Sequence, residues 1–208
     1  HIKVVGWIGD QKEDIHPVLF ADADFAGCMF TSRSTNGAFM TLRGPDTRFP
    51  LGAVAQKQKC VSHSTTESEI VAADHALRTE GYPALDLWDT VFGRKCTLTI
   101  MEDNESMIKV MNSGRNPTMR HVHRTHRVSI QLLHEMFQEP FLNLEKVDTN
   151  RQAADIMTQG FTNPDKWEAV RTLIYHIDPT NFWKAPADID SIPILPCVGV
   201  QILSGCDG

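Results

Sequence analysis

Two short β-prone runs in this chain each end in an aspartate, and this pattern constrains the fold more than any other feature. Residues 96–101 lead into the acidic pair that ends in Asp103, and residues 18–21 lead into Asp22. A helix-favouring segment, residues 106–111, follows Asp103 almost at once. Open α/β sheets usually place their chemistry where the carboxyl end of a strand turns into a helix. The sequence therefore predicts an α/β fold in which the two aspartates come together.

Two predicted helices carry the other acids of this cluster. Ser64 and Glu67 form a capping-box pattern at the start of a helix expected over residues 64–79. On that helix Glu69 shares a face with alanines three, four and seven positions further on, so the helix can pack closely on the sheet. Asp155 lies in a helix predicted near the end of the domain. Four carboxylates on two strand ends and two helices predict a metal-binding cluster.

The order of the predicted elements favours a single mixed sheet. Three strands, expected to form antiparallel hairpins, are followed by helices, a fourth strand, more helices, a fifth strand and further helices. The predicted strands cover residues 17–22, 37–42, 49–58, 96–101 and 141–147. The predicted helices cover residues 64–79, 84–92, 106–113, 119–138, 151–157 and 164–175, and the fourth of these is expected to be the longest.

The 208 residues divide into three predicted parts. Residues 1–16 are expected to be a connector, because they are mixed in character and contain a Gly-Asp turn signal. Residues 17–178 are expected to form the folded domain. Residues 179–208 contain prolines followed by an apolar, aperiodic end, and we expect a poorly ordered tail.

Composition limits the class of protein. No run of eighteen apolar residues is present, so no membrane span is expected. The five cysteines are scattered and include no CxxC pair, which indicates reduced thiols rather than a disulfide framework or a zinc site. A net charge of −6 argues against a protein that simply coats nucleic acid, but suits a nuclease whose acids are offset by bound cations. We expect an intracellular, cytoplasmic protein.

One segment concentrates positive charge. Residues 115–127 contain four arginines, three histidines and no acid. The arginines expected to bind the phosphates of a nucleic acid are Arg120, Arg124 and Arg127. A metal site formed by His121, His123 and His126 is an alternative, although the interleaved arginines would repel a cation. A plain solvated helix face is the other alternative.

The predicted carboxylates suit phosphodiester hydrolysis. This reaction needs a nucleophilic water, neutralisation of the charge that develops on phosphorus, and stabilisation of the leaving oxygen, all of which two divalent ions about 3.5–4 Å apart can supply. Mg²⁺ prefers hard oxygen ligands, so Asp22, Glu69, Asp103 and Asp155 would suit two Mg²⁺ ions, with Mn²⁺ as an alternative. Acids and element order together predict a ribonuclease H-like fold: a five-stranded mixed sheet flanked by helices, with a C-terminal helix and an irregular tail.

The chain also resembles a known family, the ribonuclease H domain of copia-type retrotransposon polyproteins. In the first half, the matching motifs are FADADFAG at residues 20–27, RSTNG at 33–37, KQK at 57–59 and STTESE at 64–69. In the second half they are EDNES at residues 102–106, RH at 120–121 and AADIMT at 153–158. Because these matches follow one another in order along the chain, they are more specific than any single motif.

The resemblance implies an endoribonuclease that cuts the RNA strand of RNA–DNA hybrids during reverse transcription. The catalytic, metal-binding acids of the family fall on Asp22, Glu69, Asp103 and Asp155, and all four are present. The implied partners are the hybrid itself and the reverse transcriptase domain of the same polyprotein, with retrotransposon particles as one location. Contacts to the substrate are expected from the three arginines and from His63.

Several alternatives stay open at the level of sequence. Residues 28–32 stand where relatives commonly carry a polar, acidic loop, so a catalytically silent structural or nucleic-acid-binding module of a polymerase polyprotein is the main rival. An integrase or resolvase on the same fold is a second rival, against which the fourth acid at Asp155 argues. Glu67 is expected to cap its helix rather than to bind metal, whereas Glu102 and Glu105 are expected to be solvated.

Overall fold

The computed structural model describes residues 3–177 and shows a central five-stranded sheet beside a small two-stranded one. The strands are β1 (Lys3–Val4), β2 (His16–Asp24), β3 (Thr35–Arg43), β4 (Arg48–Lys57), β5 (Leu98–Glu102), β6 (Leu142–Lys146) and β7 (His176–Ile177). The large sheet has the order β4-β3-β2-β5-β6. Its first three strands pair antiparallel, whereas β2 pairs with β5, and β5 with β6, in parallel.

Helices cover both faces of this sheet. They are α1 (Thr65–Ala76), α2 (Tyr82–Phe92), α3 (Glu105–Ser113), α4 (Val122–Thr125), α5 (Ile130–Met136), α6 (Asp155–Thr158) and α7 (Pro164–Leu173). All five predicted strands of the large sheet are present, and each strand end lies within two residues of its predicted position. The predicted fold class is confirmed: the sheet is mixed and five-stranded, and the order of its elements is ribonuclease H-like.

The core lies in two layers because side chains alternate between the two faces of each strand. On β2, Leu19 belongs to the larger buried cluster, which includes α1 and α3 residues, whereas Phe20 belongs to a smaller cluster on the opposite face. Ala153 and Ala154, directly before α6, complete that smaller cluster. The alternation brings α1 and α6 to opposite faces of β2.

The first predicted helix does not stop near residue 79. A π-helical turn, Leu77–Gly81, joins α1 directly to α2. Gly81 packs against the sheet so tightly that a Cβ atom would lie 2.9 Å from Leu98 Cδ2. Pro83 falls in the first turn of α2, where its missing N–H matters least. Glycine and proline therefore act here as packing and first-turn residues rather than as helix breakers.

The prediction of one long helix over residues 119–138 is wrong. The segment contains a 3₁₀ turn, Pro117–Met119, followed by the separate helices α4 and α5. Arg127 adopts a left-handed backbone conformation with φ 60°, which ends the first part. Ser129 begins α5, since its side chain accepts a hydrogen bond from the Leu132 amide at 3.2 Å.

The two ends of the described chain meet. β1 pairs antiparallel with β7, and Trp7 packs edge-on against Tyr175 with ring centroids 5.7 Å apart. Part of the predicted connector, residues 1–16, therefore contacts the last described elements. The predicted tail, residues 179–208, lies outside the described residues, and the predicted domain boundaries stay a prediction. No helix within residues 3–177 combines the length and apolar character that crossing a bilayer requires.

Candidate active site

The pairing of β2 with β5 brings the two strand-end aspartates to the same level. In this parallel pair Phe20 lies opposite Met101, so Asp22 and Asp103, each two residues further on, lie at the same level of the sheet. Asp22 is buried within β2, and Asp103 lies immediately after β5 and is partly buried. The sequence prediction that these two aspartates come together agrees with this register.

The short helix α6 supplies Asp155 from the face opposite α1. Asp155 is its first residue and is 2% exposed, and the Thr158 hydroxyl one turn later donates a hydrogen bond to Asp22 Oδ2. The helix can come this close because Gly37 lies opposite Asp22 on β3, where a Cβ atom would be 2.5 Å from Thr158 Cγ2. Gln152 fixes the preceding turn, since its side-chain amide donates to the Ala21 carbonyl at 2.8 Å.

Helix α1 supplies Glu69 from the other side. Ser64 caps this helix by accepting a hydrogen bond from the Glu67 amide at 3.1 Å, as the capping-box pattern predicts. Ile70 and Ala73 are fully buried against the sheet. Glu69 is 4% exposed, so the helix delivers its carboxylate into the protein rather than to solvent.

These carboxyl groups share one low-dielectric site and disfavour one another's charge. Burial raises the pKa of Asp22 to about 6, and the Asp103 carboxylate adds to the effect. Burial raises the pKa of Asp155 to about 7, with Asp22 and Asp103 adding to it. Burial and the carboxylates of Glu102, Asp22 and Asp103 raise the pKa of Glu69 far above its usual range. The structure thus brings all four predicted acids into one electrostatically coupled group.

A fifth acid joins this group, and the sequence interpretation missed it. Glu102, expected to be solvated, is completely buried, and burial raises its pKa well above the usual range. Alternation along β5 could have revealed this, because Leu98 and Ile100 of the buried cluster lie on the same face of the strand as Glu102. Glu105 is exposed as expected, and its carboxylate contacts Lys146.

The donor set fits divalent metal ions. Glu69 Oε2 and Glu102 Oε2 are buried and have no hydrogen-bond partner, so each leaves an acceptor oxygen that a cation could satisfy. Every coupled group is a carboxylate, and such an oxygen-only set suits Mg²⁺ or Mn²⁺ rather than softer metals.

The predicted phosphate-binding arginines are all exposed, but they do not lie on one continuous helix. Arg120 precedes α4, Arg124 lies within it and Arg127 follows it, so the broken helix separates them. Arg120 lines an open depression of about 550 Å³ together with Arg115, His123 and six further residues. Within residues 3–177, neither Arg120, Arg124 nor Arg127 has an ion-pair partner. These cations are therefore available to an anionic ligand.

His63 lies beside Glu67 rather than in the carboxylate cluster. Its ring contacts that of His121 edge-on, with centroids 4.9 Å apart, and both imidazoles approach the buried Glu67 carboxylate. His126 approaches the same carboxylate, whereas His123 faces the basic depression. The histidine cluster weighed from sequence is thus divided between two places.

Comparisons with known proteins agree with the sequence resemblance. No family model matches the chain. The chain is similar to the retrovirus-related Pol polyprotein from transposon TNT 1-94 of Nicotiana tabacum, with 26% identity over 163 residues and 76% of this chain. The chain spans 11% of that polyprotein's length. The predicted resemblance is confirmed as a weak similarity to a retrotransposon Pol polyprotein.

Some solved structures are also similar to this chain. LC11-RNase H1, isolated from compost by a metagenomic approach, gives a TM-score of 0.46 and 13% identity over 76% of this chain and 96% of its own. The same protein in complex with an RNA/DNA hybrid gives 0.47 and 14% identity over 68% of this chain and 93% of its own. The fold class is defined by the sheet order and the helix positions described above.

Proposed function

We propose that this protein is a metal-dependent ribonuclease H that hydrolyses the RNA strand of RNA–DNA hybrids during retrotransposon reverse transcription. The observation that carries the proposal is the convergence of four acids from four separate segments. Asp22, Glu69, Asp103 and Asp155 come from β2, α1, the end of β5 and α6, and their charges interact. Buried carboxylates without a compensating positive charge reduce the stability of a fold, so their convergence here supports a metal-binding function.

The four acids would hold two divalent ions through oxygen atoms. When bound, such ions activate a water molecule and neutralise charge on the phosphate and the leaving oxygen. Thr158 orients the Asp22 carboxylate by donating a hydrogen bond to one of its oxygens. Asp103 is the most accessible of the four, because it is only partly buried, and it therefore faces the side from which the substrate arrives.

The substrate would be recognised by its shape and its charge. Ribonucleases of this kind are expected to detect an A-form-like duplex and its 2′-hydroxyl groups rather than base sequence. Arg120 and Arg115, at the depression before α4, would bind backbone phosphates. The similarity to a Pol polyprotein supports a reverse transcriptase domain of the same polyprotein as partner.

The test is cleavage of a labelled RNA–DNA hybrid by the purified chain, with and without Mg²⁺ and beside the variant Asp103→Asn. We expect Mg²⁺-dependent cuts in the RNA strand alone, abolished in the variant, because the amide is a weaker ligand and carries no charge. The matched control is Glu105→Gln, which removes an exposed carboxylate nearby and should leave cleavage unchanged. Activity of Asp103→Asn at the same Mg²⁺ concentration would refute the assigned site.

The rival function is a catalytically silent module that supports a polymerase. The loop at residues 28–32 favours it, because Met29 and Phe30 are 95% and 99% exposed where relatives commonly carry a polar, acidic loop. A folded protein that binds the hybrid without cutting it, alone or with a reverse transcriptase domain added, would support this rival. Cleavage of DNA ends instead of the hybrid would point to another nuclease on the same fold.

A further inference from the structure

Outside the carboxylate cluster, a second group of metal-ligating side chains surrounds Glu67. His63 precedes α1, Glu67 lies in the first turn of α1, and His121 directly precedes α4. Glu67 Oε2 lies 3.0 Å from His121 Nε2 and 3.6 Å from His63 Nδ1. One ligand atom from each of the three residues lies within 4.8 Å of the others, and among residues 3–177 no other such group of three was found.

We propose that His63, Glu67 and His121 form a binding site for Zn²⁺ or a similar late transition-metal ion. Tetrahedral zinc holds nitrogen and oxygen ligands at about 2.0–2.2 Å, which places neighbouring ligand atoms about 3.3–3.6 Å apart. The two distances to Glu67 Oε2 lie close to that range. Two imidazoles and one carboxylate favour zinc over Mg²⁺, which prefers oxygen ligands only.

The charge of Glu67 supports this assignment. Its side chain is 1% exposed, and its Oε2 accepts a hydrogen bond from the His63 amide at 3.1 Å at the start of α1, as expected for a capping residue. Within the described part of the chain only histidines form ion-pair contacts with this carboxylate. Glu67 Oε1 is buried without a hydrogen bond, although His126 Nε2 lies 3.2 Å away. A buried carboxylate needs a nearby positive charge. A bound divalent cation would supply it.

The surroundings suit a site with three protein ligands and one exchangeable position. The side chains of His63 and His121 are 66% and 38% exposed, so an ion could enter from solvent and keep a water molecule as its fourth ligand. His126, whose side chain is 2% exposed, contacts the other Glu67 oxygen and acts as a positioning residue for that carboxylate.

The bound ion would join two separate segments beside the candidate active site. The segment before α1 and the segment around α4 already touch, since the Cys60 thiol contacts the Thr125 carbonyl at 3.1 Å. Glu67 is two residues before Glu69 on α1. The ion would therefore stabilise the start of the helix that delivers Glu69, without being a part of the carboxylate cluster.

The test is calorimetric titration of the full chain with Zn²⁺ in the presence of excess Mg²⁺, which occupies oxygen-only sites. We expect one Zn²⁺ per chain in the unsubstituted protein, and the same result for Asp103→Asn. His63→Ala and His121→Ala should each weaken binding by more than tenfold, and His126→Ala by roughly 10–100-fold. The matched control is His123→Ala, an exposed histidine two residues from His121, which should bind Zn²⁺ normally.

A second readout separates lost binding from lost folding. Zn²⁺ should raise the unfolding temperature of the unsubstituted chain and not that of His63→Ala, whose exposed side chain can be removed without disturbing the core. The inference is overturned if the chain takes up no Zn²⁺, if uptake is unchanged in His63→Ala, or if uptake is lost in Asp103→Asn. The first outcome would leave Glu67 and its histidines as a purely structural ion-pair cluster. None of these outcomes depends on hydrolytic activity.

Discussion

Individual carboxyl groups in the candidate site hold their protons more tightly in the folded chain than they would in the unfolded chain. Burial raises the pKa of Asp22 to about 6 and that of Asp155 to about 7, against values near 4 for an unperturbed aspartate. Glu69 and Glu102 shift in the same direction. Ionising the cluster without a bound cation therefore costs folding free energy.

The metal-free protein should accordingly lose stability as the pH rises. The stabilising contribution of the Asp22 and Asp155 carboxyl groups is fully present below pH 4, where both groups are protonated in the folded and in the unfolded chain. It is lost as the pH rises through their folded-state pKa values of about 6 and 7. For Asp22 alone the loss is about 3 kcal/mol. Denaturant unfolding in EDTA should show this decline between pH 4 and pH 8, and saturating Mg²⁺ should reduce it. A metal-free stability that rises over this interval would contradict the assigned environment.

Replacing Glu102 with glutamine should stabilise the metal-free protein at pH 8. Burial raises the pKa of this carboxyl, so the substitution removes a group that is costly to ionise. We expect a higher free energy of unfolding than that of the unsubstituted chain at pH 8, and this gain should vanish near pH 4. Glu105→Gln, on an exposed residue three positions later, is the control and should change stability little. Destabilisation of Glu102→Gln at pH 8 would show that its charge is compensated.

The position of the short helix α6 depends on a single distant residue, Gly37 of β3. It contacts β3 and β2 closely, and it carries both Asp155 and Thr158. A helix of four residues has little stability of its own, so its position comes from packing on the sheet. Gly37 provides the space for that packing.

The substitution Gly37→Ala should therefore displace α6. The added methyl group would lie 2.5 Å from Thr158 Cγ2 and 3.0 Å from the Ala154 carbonyl oxygen. We expect a loss of about 1–3 kcal/mol in unfolding free energy and a marked loss of Mg²⁺-dependent hybrid cleavage. Gly52→Ala on β4 is the control, since the nearest atom to its methyl group, Glu80 Oε2, would be 3.6 Å away. Equal effects of the two substitutions would contradict the role given to Gly37.

At the scale of the whole molecule, the two ends of the described chain pack together beside the smaller core cluster. Val5 donates a backbone hydrogen bond to the Tyr175 carbonyl at 2.9 Å, and Trp7 packs on the buried Tyr175 ring. Trp7 packs against this cluster, which also contains Ala153 and Ala154, the two residues directly before α6. The first described residues therefore support the face of the sheet that holds Asp155.

Removing the Trp7 side chain should destabilise the whole domain. We expect Trp7→Ala to cost on the order of 2 kcal/mol, less than for a fully buried tryptophan because Trp7 is only half-buried. The control is Trp167→Ala on α7, which should cost less because this residue is 41% exposed and its ring contacts only that of Phe161 among the described aromatic pairs. Thermal or denaturant unfolding measures both variants. A smaller loss for Trp7→Ala than for the control would contradict the proposed fastening of the chain ends.

Local sequence patterns determined much of this structure. The strands of the large sheet follow from β-prone runs bounded by turn residues, and Ser64 begins α1 because its side chain satisfies a backbone amide three residues away. The positions of Asp22 and Asp103 follow because Asp22 lies near the end of β2 and Asp103 directly after β5. Each of these features depends on residues within a few positions, which a linear pattern records.

The tertiary structure decided what depends on distant neighbours. Glu102 looks like a surface acid until β5 is enclosed between other strands and covered by helices, and desolvation then changes its chemistry. The helix expected over residues 119–138 breaks at Arg127, a residue whose conformation no local signal specified. His63 and His121 both contact Glu67 only because two distant parts of the chain pack together. Glu67 and His121 are 54 residues apart in sequence. Burial and side-chain convergence are properties of packing, so the physical environment of each site exists only once the chain has folded.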